Sequence, residues 1–496
     1  MPYIIRAAKG EQVNTQYEPV IGMEVHAELL TKSKMFCGCE VAFGGEPNTR
    51  VCPVCLGLPG TLPVANKKAV DFVVRAALAL NCTINTHSIF HRKNYFYPDL
   101  AKGYQVSQYG ETPIGTHGYV EITVNGTTKR IGIRRVHLEE DTGKLLHVAG
   151  DKSEIDYNRS SVALMEIVTE HDPRAGFDQI NSADEAREYL VRLRAILLYL
   201  GVSDGKMEEG SLRCEPNISI RLEGTQEFGT RTEIKNLNSF RAVYNGIEYE
   251  VKRQEKVIRE GGKIVHETRR WDDVRGITSS MRSKELEQEY RYFPEPDLLP
   301  MVFDAQWIEQ QRELLPELPQ ERKARFMEQH GLPAYDAEIL TDSKALAEFF
   351  DACASDYKDA KVCSNWLMGD FLRLLNQEGI EADEAKLTPS HFIEMLKLMD
   401  EGTISGKIAK TVFEEMFRTG KRAAEIVEEK GLVQITDESA IEAAVDEVLA
   451  AYPNEVERYK SGQQQLIGFF VGQVMKATKG KANPQAANKI LREKLG

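Results

Sequence analysis

Residues 21–29 alternate strictly between apolar and polar positions. In a strand, Ile21, Met23, Val25, Ala27 and Leu29 fall on one face and Gly22, Glu24, His26 and Glu28 on the other. One face calls for a core, while the other carries carboxylates and an imidazole. The same period returns at 217–223, with Ile218, Ile220 and Leu222 pointing inward. Residues 119–124 and 127–133 flank Asn125-Gly126, a pair that accepts the positive φ angles of a type I′ turn, so an antiparallel hairpin is predicted there. Between these runs the period lengthens. Tyr189, Leu190, Leu193, Ile196, Leu197 and Leu200 make a helical stripe, opened by a capping box of Ser182 and Glu185 and closed by Gly201.

Past the stiff, proline-bearing stretch 294–300 the strand signals fade and helical patterns take over. One helix is predicted to open with Thr388 as N-cap and Pro389 at its first position, and to stop at Gly402. The class is therefore α+β. An antiparallel-sheet domain is expected over 1–298, a helical domain over 299–408 and a second all-α domain over 409–496, the last boundary lying beside Gly402 and Gly406. No fixed-period repeat or low-complexity tract interrupts this plan.

At 496 residues and 42% hydrophobic, the chain can bury real cores. A net charge of −13 excludes a basic coat over the whole surface, so contact with nucleic acid would need a local patch. Such a patch exists near the C-terminus, where Lys476, Lys479, Lys481, Lys489, Arg492 and Lys494 face the single acid Glu493. A solvated helix face is the plainer reading of the same residues. No apolar run is long enough to span a bilayer and residues 1–16 lack a signal-peptide core, so a cytoplasmic protein is expected. Four of eight cysteines cluster as Cys37-Gly-Cys39 and Cys52-Pro-Val-Cys55, the spacing of a closed tetrahedral zinc site. Four thiolates leave no open position, so its role would be structural.

Further acids interrupt apolar runs. The hairpin's second strand runs on into His137, Glu139, Glu140 and Asp141, and Glu166 stands alone within 161–169. A lone carboxylate there must be neutralised or paired. Glu208 and Glu209 precede the strand at 217. A sheet face presenting Glu24, His26, Glu139 or Glu140, Glu166 and Glu208 or Glu209 could hold one or two Mg²⁺ ions and a nucleoside triphosphate. No P-loop pattern is present, and residues 278–284 form a hydroxyl and cation cluster suited to phosphate.

Taken in order, residues 21–29, the Cys37 to Cys55 knuckle, 94–108, 137–143, 231–239, 278–285 and 290–297 resemble the B subunit of the bacterial aspartyl/glutamyl-tRNA amidotransferases along nearly the whole chain. The stretch 462–484 resembles the YqeY-type tRNA-binding helical module. The resemblance implies a catalytic cradle related to glutamine synthetase and the guanido kinases, followed by two helical domains. It implies a heterotrimer in which an amidase, the A subunit, releases ammonia from glutamine beside a small third member, the C subunit, and which acts on misacylated tRNA(Gln) or tRNA(Asn). ATP would convert the side-chain carboxylate to an acyl phosphate, with Mg²⁺ beside the transferring group. Carried across by position, Glu24, His26, Glu139 and Glu166 are the catalytic and Mg²⁺-binding candidates, joined by Glu140 and Glu209. Lys102, Arg282 and Lys284 are candidates for phosphate contact. One departure is Ala101, where the pattern has proline.

Two other readings remain open from the residues themselves. A non-catalytic RNA-binding scaffold would use the knuckle and the basic tail but has no need of acids on strands. A stand-alone ligase of the glutamine synthetase type would use the acids but not the tail.

Overall fold

The computed structural model describes residues 16–110, 112–147, 152–170, 172–283, 290–432, 438–478 and 482–496. The chain forms two compact units, one up to Leu318 and the other Pro319–Gly496.

The first unit is built on a nine-stranded sheet. Its strands are β1 (Tyr17–Glu28), β2 (Thr83–Ile84), β3 (Gly115–Val124), β4 (Thr127–Glu140), β5 (Ala163–Thr169), β6 (Leu212–Leu222), β7 (Thr232–Lys235), β8 (Glu267–Asp272) and β9 (Ile277–Ser283), in the order β9-β8-β7-β6-β1-β5-β4-β3-β2. The alternating strand at 21–29 thus lies at the centre, antiparallel to both β5 and β6. Asn125 and Gly126 take φ of 51° and 79°, as the predicted hairpin turn requires. The sheet is mixed, not purely antiparallel as expected, because β7 and β8 run parallel. The helix α3 (Phe240–Arg259) carries the chain back between them, and such a crossover returns a strand in the same direction.

The helices α1 (Lys67–Ala79), α2 (Ala183–Leu200) and α3 pack against the sheet, where Met23, Val25 and Ala27 join Val73, Leu193 and Ile247 in one core. Ser182 caps α2 by accepting from the Glu185 amide at 3.1 Å, and Gly201 closes it with φ 63°. Half of the expected box differs: Glu185 accepts from the amide of Asn181 rather than Ser182.

The expected end of the sheet domain at 298 falls short. Met301–Val302 pairs with His87–Ser88, Phe303 enters the core, and α4 (Ala305–Glu313) reaches α1 through Arg75 Nε and Gln311 Oε1 at 2.9 Å. The proline-bearing stretch is an internal bend of this unit. In the second unit Thr388 caps the helix Pro389–Asp400 as predicted, and Gly402 follows its end with φ 72°. The next helix, Gly406–Thr419, contains the expected 408/409 boundary. Its Phe413 lies 5.8 Å from Phe392 and 6.3 Å from Phe371, so it belongs with the preceding helices. The helices Glu438–Ala451, Ile467–Ala477 and Pro484–Leu495 close a separate core around Val445, Phe470 and Leu491. Among the described residues no helix is long and apolar enough to cross a membrane.

Candidate active site and metal centres

The register of the sheet writes the site. His137 on β4, Glu166 on β5, His26 on β1 and Arg213 on β6 stand opposite one another across four strands. Alternation sends these side chains away from the core, into a cavity of about 750 Å³. His26 Nε2 lies 3.2 Å from Glu139 Oε1 and 3.9 Å from Glu166 Oε2, and His137 Nε2 lies 2.8 Å from Glu166 Oε2 and 3.5 Å from Glu139 Oε2. Ser107 donates to Glu139 at 2.9 Å. Burial alone would lower the pKa of His26, but its hydrogen bond to Glu139 and the charges of Glu166 and Glu139 outweigh it and carry the imidazole up to about 9. Burial would likewise raise Glu166, yet the charge and hydrogen bond of His137, with the charge of His26, hold it down at about 2. Two carboxylates are thus kept ionised in a buried place.

A second acidic group lies one step along the strands. Glu24 faces Glu215 across β1 and β6, Asn217 faces Glu233 across β6 and β7, and Glu233 faces Thr268 across β7 and β8. Asn217 donates to Glu24 at 3.0 Å, Thr268 donates to Glu233 at 2.7 Å, and Lys235 pairs with both Glu215 and Glu233. One ligand atom from each of His26, Glu139 and Glu166 lies within 4.8 Å of the others, and the same holds for Glu24, Glu215 and Glu233. Carboxylate oxygens gathered in this way suit a hard divalent cation such as Mg²⁺. Glu24 therefore belongs to a second group, beside the His26 group and not within it.

The cavity wall across from the sheet is aromatic and basic. A three-stranded sheet of Phe293–Pro294, His91–Asn94 and Tyr104–Ser107 brings Lys93, Tyr95 and Tyr109 to it. Tyr109 stacks on Tyr292 at 4.1 Å, and the Lys93 ammonium lies 5.0 Å from the Tyr290 ring.

Other candidates lie elsewhere. Glu140 follows Glu139 by one residue and so faces the opposite way, where it pairs with Lys102 and accepts from the Val106 amide at 2.9 Å. Neither Glu140 nor Lys102 lines the cavity. Glu209 sits in an exposed turn with Lys206 at 3.0 Å. Arg282 is placed on β9 opposite Thr268, and Lys284 lies outside the described residues. Sequence reasoning left Glu215, Glu233, Lys235, Lys93 and the tyrosines without a role. The signal for Glu215 was present: running the alternation of Ile218 and Ile220 backwards puts Glu215 and Arg213 on the polar face.

The four clustered cysteines do meet. One Sγ from each of Cys37, Cys39, Cys52 and Cys55 lies within 4.8 Å of the rest. Tetrahedral zinc thiolate sites set their sulfurs about 3.8 Å apart, a spacing that falls inside this limit. The hydrogen bond from Cys37 lowers the Cys55 thiol to about 5, whereas that same bond pushes the Cys37 thiol up and burial pushes Cys39 up to about 11, so without metal Cys55 is the one drawn toward the thiolate.

The same stretches of chain are found in known proteins. The profile of the GatB/GatE catalytic domain matches residues 19–309, and that of the GatB domain matches 348–495. The aspartyl/glutamyl-tRNA(Asn/Gln) amidotransferase B subunit of Caldanaerobacter subterraneus subsp. tengcongensis is 59% identical over 480 residues, covering 97% of this chain and 99% of that one. Its counterpart in Moorella thermoacetica is 57% identical over 483 residues, covering 97% and 100%. That of Thermodesulfovibrio yellowstonii is 56% identical over 476 residues, covering 96% and 98%. The sheet with its acidic cavity and the helical unit both fall within these matches, and the chain belongs to the B-subunit family of the aspartyl/glutamyl-tRNA(Asn/Gln) amidotransferases, a family of ligase-type enzymes.

Proposed function

We propose that this chain carries out the ATP-dependent amidation of Glu on tRNA(Gln), of Asp on tRNA(Asn), or of both, in the cytoplasm. The observation that carries this reading is the convergence of His26, Glu139 and Glu166 beside Glu24, Glu215 and Glu233 in one cavity. A free carboxylate is a poor electrophile for an amine. Its oxygen attacks the γ-phosphorus of ATP, the bond to ADP breaks, and the acyl phosphate so formed offers phosphate as the leaving group. Ammonia from the partner amidase, the A subunit, then attacks the carbonyl carbon, giving the amide. A small third member, the C subunit, completes the assembly in this reading, and the B designation of the relatives supports an enzyme of several subunits.

The two acidic groups would each hold a Mg²⁺, and when bound these ions neutralise charge on the transferring phosphoryl group. His137 fixes Glu166 from the neighbouring strand, and Ser107 and Asn217 fix Glu139 and Glu24. Lys235, Arg213 and Lys93 bring positive charge to the cavity, where triphosphate oxygens would sit, and the tyrosine wall offers a stacking surface for a base. Arg282 and Lys284 remain phosphate-contact candidates, whereas Lys102, paired with Glu140 outside the cavity, does not, and Glu140 and Glu209 take no part in holding the ions. The four cysteines would hold a structural Zn²⁺. The cradle's kinship with glutamine synthetase and guanido kinases belongs to the same reading.

The test is direct. The chain with its partner subunits, ATP, glutamine and each misacylated tRNA should give amide product with matching release of ADP. Amide formed without ATP consumption, or none from either tRNA, would overturn the proposal.

A further inference from the structure

Lys34 is fully buried, and a lysine leaves water only when its charge is answered. Among the described residues its ammonium has two partners. It donates to the Tyr157 carbonyl at 3.1 Å and to Cys55 Sγ at 3.8 Å, and neither partner is a carboxylate. A carbonyl dipole alone does not balance a buried cation, and without metal Cys55 is the one sulfur of the four drawn toward the thiolate. Four thiolates around a divalent cation do balance a buried cation, because such a site keeps net negative charge.

We propose that Lys34 is the counter-charge of the four-cysteine metal site: held on the Tyr157 carbonyl, its ammonium donates to Cys55 Sγ and offsets the thiolates once the metal is bound. This rests on the metal reading of the cluster and gives the buried lysine its purpose. The knuckle is otherwise tied to the loop at 156–158 by bonds that need no metal. Asn48 donates its amide to Asp156 at 3.0 Å and accepts from the Tyr157 amide at 2.8 Å. Asn158 accepts from the Arg50 amide at 2.8 Å and donates to the Glu46 carbonyl at 2.7 Å. Among these ties, Lys34 is the one whose worth depends on loading. With the metal bound it stands beside four thiolates, whereas without it the contact at Cys55 Sγ, 3.8 Å away, is the single sulfur contact it has among the described residues.

The full-length Lys34→Met variant separates this role from simple packing. Zinc is titrated against a chromophoric chelator, and thermal unfolding is followed with the metal bound and after stripping. The wild-type chain should hold stoichiometric zinc, and the variant should bind it about 10–100-fold more weakly, the usual effect of losing a partner of a metal ligand. Its Tm should fall more when loaded than when stripped, whereas a packing role lowers both equally. Lys34→Gln keeps a donor for Tyr157 but removes the charge. It should weaken zinc to a similar degree, and it carries the test if the Met variant fails to accumulate. Zinc affinity unchanged in both variants, or equal losses of Tm loaded and stripped, would overturn the role of Lys34. A wild-type chain that holds no zinc would overturn the metal reading and this inference with it.

Discussion

His137 Nε2 lies 2.8 Å from Glu166 Oε2, the two residues being direct partners across β4 and β5. The carboxylate is thereby oriented by the sheet itself, before any ligand arrives. Glu166→Gln keeps the shape and removes the charge, so it should lower ATP-dependent amide formation by about 100-fold or more, which is about 3 kcal/mol of barrier. Glutamine hydrolysis by the partner amidase should stay within error of wild type, and so should tRNA binding. Single-turnover amidation beside a filter-binding assay checks this, and near-normal amidation would remove Glu166 from the machinery.

If His26 is a metal ligand, its imidazole should make metal binding depend on pH. Burial opposes its charge, but Glu139 and Glu166 raise its pKa from 6.5 to about 9 in the metal-free chain. A raised pKa contributes stability that is fully present below pH 6.5 and lost as pH rises through about 9. Metal-free protein should therefore lose Tm across that window. A Mg²⁺ held at Nε2 would compete with the proton there, so its affinity should rise over the same range, and His26→Ala should abolish that dependence. Calorimetric titration with Mg²⁺ at several pH values reads the effect.

Glu215 and Glu209 make a matched pair of controls. Glu215 lines the cavity within reach of Glu24 and Glu233, whereas Glu209 sits in an exposed turn beside Lys206. Glu215→Gln should cost about 10–100-fold in kcat/KM and raise the Mg²⁺ concentration needed for half-maximal rate. Glu209→Gln should change neither. Rates measured across a Mg²⁺ series distinguish them, and the reverse ranking would restore Glu209 as a ligand.

Much of this was legible because period-two alternation fixes faces. Once Ile21 to Leu29 is a strand, Glu24 and His26 must share a face, and the Asn125-Gly126 turn fixes the hairpin that carries Glu139. The same rule should have separated Glu139 from Glu140, since neighbours on a strand point apart. What alternation cannot supply is strand order. Glu215 and Glu233 meet Glu24 only because β6 pairs with β1 and β7 with β6, and Lys93 arrives from a separate small sheet. The domain borders were misplaced for a related reason. Prolines at 294–300 and glycines at 402 and 406 mark bends, and a bend within a packed unit reads the same in sequence as a linker between two.

The cysteine knuckle should behave as a folding element. Cys52 and Cys55 sit in a stretch with few apolar residues of its own, so a metal held there would supply what packing does not. Cys52→Ser should abolish stoichiometric zinc and lower Tm and soluble yield, while the soluble fraction keeps a normal KM for ATP. Elemental analysis and thermal unfolding test the two halves. Metal-free wild type with unchanged Tm would reduce the cluster to four unligated thiols.

The basic tail is the remaining candidate for tRNA contact, and the structure alters how it should be removed. A cut near Thr411 would sever the helix Gly406–Thr419, whose Val412, Phe413 and Met416 are fully buried, and would expose that core. A chain ending at Leu432 keeps this helix and its neighbour Ala423–Glu429 while removing the separate core of the last helices. The tail is also less basic than its sequence suggests, since Lys494 is paired with Glu442 and Asp446. Lys476 and Lys489 are exposed, and Lys479 and Lys481 lie outside the described residues. If these lysines meet tRNA, the shortened chain should fold and amidate at saturating tRNA at a rate close to normal. At low tRNA its rate should fall about 10-fold or more, and the slope of log affinity against log salt should flatten by about 0.7–0.9 for each phosphate no longer neutralised. Binding curves that coincide across a salt series would show the tail to be a solvated face, and the surface that meets tRNA would then have to be sought on the sheet unit or the preceding helices.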